Sequence, residues 1–331
     1  MPWKGEKDPY KIWLSEVILQ QTRVEQGWNY YNRFIETYPT VSSLALAEDS
    51  KVFKLWEGLG YYSRCRNLLA TARLIMNDYG GIFPDNYKEL IKLKGIGPYT
   101  AAAISSFAFG EKQAVLDGNV QRVLARYFGI SVSIATAAGK KFYQDLAQSL
   151  IEPVEPGKYN QAIMDFGALI CKPKQPACIQ CIQNTECEAF LHDKVSELPF
   201  KEAKLTKKHR WFNYFIIESE ECLYIRERAE KDIWQHLYEF LLVESSSEVD
   251  IQASLLNHHI NIPFSIVPAT KQYRQVLSHQ VIHAKFSRIM LSRVIEIQGM
   301  IAIKKCNLKH YPFPRLIALY IQAESPDHTD L

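Results

Sequence analysis

The sequence predicts two domains of different class: an all-α part over residues 1–190 and an α+β part over residues 210–325, joined by a basic stretch. Three observations carry that prediction. A helix, a tight glycine hairpin and a second helix are written into Leu93–Arg126, LKGIGPYTAAAISSFAFGEKQAVLDGNVQRVLAR, with amphipathic helical segments around it. Four cysteines crowd into residues 171–187. Beyond residue 210 the apolar period switches to strand-like runs such as WFNYFII and HAKFSRIML.

Composition sets the bounds. At 331 residues the chain is too long for one typical domain, and with 47% hydrophobic and 12% aromatic residues each part can bury a core. A net charge of +3 makes any nucleic-acid surface a local patch, so global charge neither supports nor excludes DNA. The start, MPWKGEKDPYK, has no apolar run behind its basic residues, and no 18-residue apolar stretch occurs. A soluble, intracellular protein with no membrane partner is expected.

From Asp8 the chain reads as a capped helix, with Asp8 as N-cap, Pro9 in the first turn, and Ile12, Trp13, Val17, Ile18 and Leu19 apolar. Glu16 stands in that apolar company, in line with Ile12 and Gln20. A carboxyl held there loses hydration, so its neutral form is favoured and it suits a proton donor near neutral pH. A surface glutamate on an amphipathic helix is the alternative. Gln20-Gln21-Thr22 then closes the helix and presents two amides on a loop. Residues 23–90 give several amphipathic helices, interrupted at GLGYYSR, where flexed backbone sets Tyr61 and Tyr62 beside Arg64. Aromatics on such a loop either wedge into a base stack or cover a core.

At Gly95-Ile96-Gly97 the backbone turns closely, and Pro98 takes the first position of the next helix. The N–H groups at that helix start make an anion site that DNA phosphate fits best, although the same residues also build an ordinary helical hairpin. Asp117, in VLDGNV, caps a helix beginning near Asn119. A cap and a catalytic carboxylate are compatible, because helix N–H groups favour the ionised form. A neutral Glu16 with a charged Asp117 is the division of labour that cleaves a glycosidic bond through an oxocarbenium-like state.

The helix Asn160–Ile170 delivers the chain to Cys171, after which Cys178, Cys181 and Cys187 complete a C-x6-C-x2-C-x5-C pattern. In a reducing compartment thiols so crowded argue for metal ligation, around a 4Fe-4S cluster or a tetrahedral zinc. Cys65, Cys222 and Cys306 stand alone as core or surface thiols. Residues 191–209 read as a linker, its lysines 201, 204, 207 and 208 able to touch phosphate. The runs WFNYFII, CLYIRER, EFLLVE and HAKFSRIML follow, with helical patches at 250–257 and 314–322. Only Gly299 occurs after Gly167, so this part lacks a glycine-rich phosphate loop.

These stretches resemble the MutY family of adenine DNA glycosylases, in the helix-hairpin-helix, endonuclease III-like superfamily. The resemblance runs through PWKGEKDPYKIWLSEVILQQT, WEGLGYYSR, LKGIGPYTAAA, AVLDGNVQRV and NQAIMDFGALIC to the four cysteines. It implies an all-α helix-hairpin-helix glycosylase domain at 1–190, composed of a six-helix module at 22–129 and an iron-sulfur module from 1–21 with 130–190. An α+β Nudix-like lesion-recognition domain is implied at 210–325, and a 4Fe-4S cluster on Cys171, Cys178, Cys181 and Cys187.

By the same resemblance Glu16 protonates the adenine, Asp117 stabilises the sugar cation or bonds to it, and Asn119 positions Asp117 and the attacking water. Tyr99 takes the place where bifunctional endonuclease III carries a Schiff-base lysine, which implies a monofunctional enzyme. Gln21 and Tyr61 match the family's wedge residues, Trp3 and Gln161 its adenine pocket, and Gly95 and Gly97 the hairpin on the DNA backbone. The chain departs from the family at Lys4, where arginine is usual and a planar fork is lost. Leu277-Ser278-His279 resembles the FSH motif that reads 8-oxoguanine; a polar strand-edge pair is the other reading of Ser278 and His279. ERAEKDIWQHLYEF stands where the family has a run ending in LWEFP and lacks a glycine-led glutamate cluster, implying recognition rather than hydrolysis.

The implied reaction is removal of adenine opposite 8-oxoguanine or guanine in double-stranded DNA, for base excision repair, by a monomer located in the cytoplasm and on the nucleoid if bacterial. One rival is an endonuclease III-like glycosylase with lyase activity, against which Tyr99 and the long C-terminal part argue. The other is a non-catalytic lesion-binding protein, against which the presence of both Glu16 and Asp117 argues.

Overall fold

A computed structural model describes residues 4–200, 206–220, 222–247, 260, 262–269 and 271–324. The chain forms two compact units, Met1–Ala47 with Ser63–Lys204, and Glu48–Tyr62 with Leu205–Leu331.

The first unit is helical. It contains α1 (Pro9–Leu19), α2 (Val24–Thr37), α3 (Val41–Ala45), most of α5 (Tyr62–Tyr79), α6 (Tyr87–Leu90), α7 (Pro98–Phe109), α8 (Gly118–Tyr127), α9 (Ala137–Leu150), α10 (Pro156–Leu169) and α11 (Glu188–Leu191), while α4 (Asp49–Trp56) belongs to the other unit. Asp8 starts α1 by accepting from the Tyr10 N–H at 2.9 Å, with Pro9 in the first turn as its fixed φ favours. Ile12, Trp13, Leu14, Val17 and Ile18 are all buried, so α1 is apolar on every side and lies in the interior, packed on α2 and α7. Each such side chain contributes roughly 1.5–3 kcal/mol by leaving water. Trp13 meets Phe83 edge-on at 5.4 Å.

Arg64 closes α1. Its guanidinium donates to the carbonyls of Val17 at 2.8 Å, Ile18 at 2.9 Å and Gln20 at 2.5 Å, the orphan acceptors of a helix end. The chain then leaves through Gln21 in the left-handed region, φ 57°.

The glycine hairpin forms as the sequence predicts. Gly95 has φ 77°, and a Cβ there would stand 2.6 Å from the Cβ of Asn67, so both backbone angle and space demand glycine. Gly97 is the N-cap of α7 and Pro98 its first residue; no side chain caps this helix, which leaves its first-turn N–H groups to an outside acceptor. Ala101, Ala102 and Ala103 are buried on α7 and allow close approach of neighbouring helices.

Among the described residues, the second unit carries an eight-stranded sheet with the main path β3-β2-β1-β7-β5, to which β4 is added on β1, β6 on β7 and β8 on β2. Its strands are β1 (Lys208–Ser219), β2 (Cys222–Glu227), β3 (Tyr238–Glu239), β4 (Leu241–Ser245), β5 (Phe264–Val267), β6 (Gln272–Val276), β7 (Gln280–Leu291) and β8 (Ile301–Lys304). The long strands β1 and β7 pair in parallel from Lys208–Gln280 to Glu218–Met290. Both of their faces are covered, as parallel pairs require. On one face Tyr214, Phe286 and Tyr320 of α12 (Arg315–Glu324) stack in sequence at 5.2 and 4.1 Å. On the other, Phe215, Ile217, Ile289 and Leu291 join Tyr224 and Leu241 in a core.

The four strand-like runs of the sequence correspond to β1, β2, β3 with β4, and β7, and the patch at 314–322 to α12. The patch at 250–257 and lysines 201 and 204 lie outside the described residues. Strands β5, β6 and β8 carried too little period to be seen, being four or five residues long with QYRQV mostly polar. Among the described residues no helix is long and apolar enough to cross a membrane.

Gly95→Ala tests the hairpin. It should lower stability by about 1–3 kcal/mol, the cost of a strained φ with a steric clash, as read by a shift in the denaturant midpoint.

Candidate active site

Glu16 projects from the buried helix α1 and is only 8% exposed. Burial pushes its carboxyl up to about 7, the nearby charge of Asp117 acts in the same direction, and a hydrogen bond with Tyr99 pulls back. The group is therefore close to half protonated at neutral pH, where a proton donor works best. Tyr99, in the first turn of α7, faces both carboxyls; burial and their two charges hold its phenol well above the ordinary tyrosine range. It is a neutral hydroxyl throughout the physiological range. Its oxygen also lies 3.6 Å from the sulfur of Met164 on α10.

Asp117 is the N-cap of α8. One carboxyl oxygen accepts from the N–H groups of Asn119 at 2.9 Å and Val120 at 2.7 Å, and the other from the Asn119 side-chain amide at 2.8 Å. The expected cap is thus made twice over, by backbone and by Asn119. Asn119 is fixed in turn, since its amide oxygen accepts from Arg122 at 2.9 Å. Arg122 also donates to the carbonyls of Gly167 at 2.7 Å and Cys171 at 2.7 Å. Gly167 has no room for a side chain, because a Cβ would stand 2.8 Å from that of Asn119. Helix α10 can therefore press directly on the cap.

The four cysteines line a single cavity of about 370 Å³ beside α8 and α10, with Ile163, Phe166, Ile170, Ile182 and Phe190 as apolar walls. Arg126, one turn beyond Arg122, donates to the carbonyls of Lys172 at 2.7 Å and Leu198 at 3.0 Å and reaches the sulfur of Cys171 at 3.5 Å. Among the described residues no three ligands converge as they would on a single ion. Thiolates around one zinc at Zn–S distances of about 2.3 Å must lie about 3.8 Å apart, whereas a cubane spreads four thiolates over four iron corners.

The remaining predicted residues fall in several places. Gln161 and Lys4 meet through Asp165, which accepts from Gln161 at 3.0 Å and from Lys4 at 2.5 Å. Gln21 and Tyr61 are both exposed and both left-handed, with φ of 57° and 49°, unusual for side chains of their size. Ser278 and His279 occupy the turn between β6 and β7 and are exposed, with Ser278 Oγ 3.1 Å from His279 Nδ1. Lys207 braces that turn by donating to the Leu277 carbonyl at 2.7 Å. Trp3 lies outside the described residues.

Sequence reasoning missed Arg122, Arg126, Met164 and Asp165. The signal for the first pair was present: two arginines four apart on the inward face of a helix, here 8% and 4% exposed, are rarely left without buried acceptors. Met164 and Asp165 carried no such mark.

Residues 14–149 match the model of the HhH-GPD superfamily base excision DNA repair proteins. An adenine DNA glycosylase of Buchnera aphidicola subsp. Baizongia pistaciae is 33% identical over 301 residues, 89% of this chain and 82% of that protein. The Homo sapiens adenine DNA glycosylase is 41% identical over 198 residues, 57% of this chain and 36% of its own length. Among solved structures, a thermostable thymine-DNA glycosylase superposes with a TM-score of 0.54 at 32% identity, over 58% of this chain and 88% of that one. Endonuclease III in a non-covalent DNA complex shares the fold at a TM-score of 0.51 and 22% identity, over 57% and 86%. The chain belongs to the HhH-GPD superfamily of base excision DNA repair proteins. Within it, the chain is a member of the adenine DNA glycosylase family.

The buried acid has a stability signature. A folded-state pKa of about 7 against an ordinary 4.5 means the protonated form is the stabilising one, so stability is lost as pH rises from 4.5 through 7, by about 3 kcal/mol in all. Glu16→Gln, neutral at every pH, should abolish base release and raise the melting temperature at pH 8 but not at pH 4. A melting temperature unchanged at pH 8 would show that Glu16 is hydrated.

Proposed function

We propose that this protein excises adenine mispaired with 8-oxoguanine or guanine in double-stranded DNA, as a monofunctional glycosylase. The observation that carries this is a buried carboxyl pushed up to about 7 and hydrogen-bonded to Tyr99, under the influence of the Asp117 carboxylate fixed at a helix N-terminus.

The proposed reaction follows from those three groups. The duplex backbone rests on the first-turn N–H groups of α7, Gln21 and Tyr61 act as wedges in the base stack, and the adenosine is extruded into a base pocket that Gln161 lines. Glu16 donates its proton to N7, which makes the base a better leaving group. Positive charge then develops on the sugar, where Asp117, held in place by Val120 and Asn119, offsets it. Water adds to the sugar carbon, and Glu16 takes up the proton that water releases. Tyr99 holds a hydrogen bond to Glu16 through the cycle and offers no nucleophile for strand scission.

The second unit serves as a Nudix-like lesion reader in this proposal. Two of its acidic groups are occupied by arginines, which favours recognition over hydrolysis: Glu239 is fully buried between Arg226 and Arg228, and Asp232 pairs with Arg210 at 2.7 Å. The Ser278-His279 turn offers donors and acceptors to the base opposite adenine. Cys171, Cys178, Cys181 and Cys187 line one cavity, and four thiolates around such a space would suit a 4Fe-4S cluster. Such a cluster would supply a fixed scaffold and charge for the loop that carries it.

Single-turnover assays on duplexes with adenine opposite 8-oxoguanine, guanine and thymine should show release from the first two only, with no borohydride-trapped adduct. A strong adduct would favour the lyase. In the same assay, alanine at both 278 and 279 should erase the preference for 8-oxoguanine over guanine, and an unchanged preference would remove the turn from lesion reading. Elemental analysis of the purified, yellow-brown protein should find four irons per chain. Stoichiometric zinc would overturn the cluster.

A further inference from the structure

The polar group at purine position six is what separates adenine, which carries an amine there, from guanine and hypoxanthine, which carry a carbonyl. A side-chain amide can serve either, because one end accepts and the other donates. Something must therefore decide which end of Gln161 faces the base.

Helix α10 turns Asn160 and Met164 inward, at 1% and 6% exposure, and carries Gln161 and Asp165 one position further round on its flank. Met164, on the inward face, touches the Tyr99 hydroxyl that bonds Glu16, and Asp165 follows it directly on the same helix. Asp165 Oδ1 accepts from Gln161 Nε2 at 3.0 Å, and Asp165 Oδ2 accepts from Lys4 Nζ at 2.5 Å. An ionised carboxylate only accepts, so whatever bonds it must donate. Gln161 is thereby committed to turn its NH₂ toward Asp165 and its carbonyl away. Lys4, which stands where the family usually has arginine, supplies the second oxygen with a donor and leaves the first to Gln161. The pair is partly buried, with side chains 44% and 27% exposed for Lys4 and Asp165.

We propose that Asp165 is a positioning residue that sets amine-over-carbonyl selection: by claiming the amide N–H of Gln161 it presents the Gln161 oxygen to the base as an acceptor. An exocyclic amine then finds a partner, while a carbonyl meets another acceptor and leaves both unpaired. This rests on the reading that Gln161 lines the base pocket.

Three duplexes test it, with adenine, hypoxanthine or unsubstituted purine opposite the same base. Asp165→Asn keeps the shape but adds a donor, freeing the Gln161 amide to turn. The adenine-to-hypoxanthine ratio of single-turnover rates should fall roughly tenfold, the worth of one hydrogen bond. Excision of unsubstituted purine, which has nothing at position six, should be unchanged. Asp165→Ser, a smaller group that also donates and accepts, repeats the test in a second side chain. A uniform loss on all three duplexes would mark Asp165 as merely structural and overturn the proposal. Gln161→Leu separates the two levels. If it alters the ratio while both Asp165 variants leave it at the wild-type value, the pocket reading stands and the proposal fails; if Gln161→Leu leaves the ratio unchanged, the pocket reading itself fails and the proposal falls with it.

Discussion

A carboxyl kept out of water by the helix that bears it is the constraint on which the first unit depends. Glu16 resides on α1 among Trp13, Leu14, Val17 and Ile18, all buried, and its ionised form is disfavoured there. The same burial that raises its pKa toward neutrality works against stability, a trade common at catalytic sites. The surrounding aliphatic contacts and the three-carbonyl clamp of Arg64 offset it. A less apolar or less firmly closed α1 would hydrate the acid and return it to the ordinary carboxyl range.

Helix α8 supplies the counterpart. Its N-terminus holds Asp117 by two backbone N–H groups and the Asn119 amide, and its interior carries Arg122 and Arg126 toward the cysteine loop. Hydrogen bonds run without interruption from Asp117 through Asn119 and Arg122 to the carbonyl of Cys171. One helix thus fixes both the Asp117 carboxylate and the entry of the loop whose thiols share a cavity. Planar guanidinium forks suit this work, because each reaches two or three carbonyls in different directions where an ammonium would hold fewer.

The second unit is built on different physics. Its two long strands run parallel and are covered on both faces, by stacked Tyr214, Phe286 and Tyr320 on one and by aliphatic residues on the other. Beside them, Glu239 lies fully buried between two arginines. Such an arrangement holds only when every charge is paired, which ties the conformation of 226–239 to a single solution. The exposed turn at Ser278 and His279 projects from that rigid frame, braced by Lys207.

Much of this was legible beforehand, and the reasons are local. Caps at Asp8 and Asp117, proline at position 98, left-handed Gly95 and the cysteine spacing are rules of chain geometry and ligand chemistry that act over a few residues. Strands β5 and β6 escaped because they are short and, in β6, mostly polar, and β8 because its partner β2 lies far along the chain. By itself, then, the sequence determined the helical class of the first unit, its hairpin and the cap that Asp117 makes on α8. Only the tertiary structure decided that Glu16 is dry, that Tyr99 bonds it, that Arg122 ties the cap to the cysteine loop, and that Asp165 stands between Lys4 and Gln161. Burial and long-range hydrogen bonds depend on which helices meet, and no spacing along one helix carries that information.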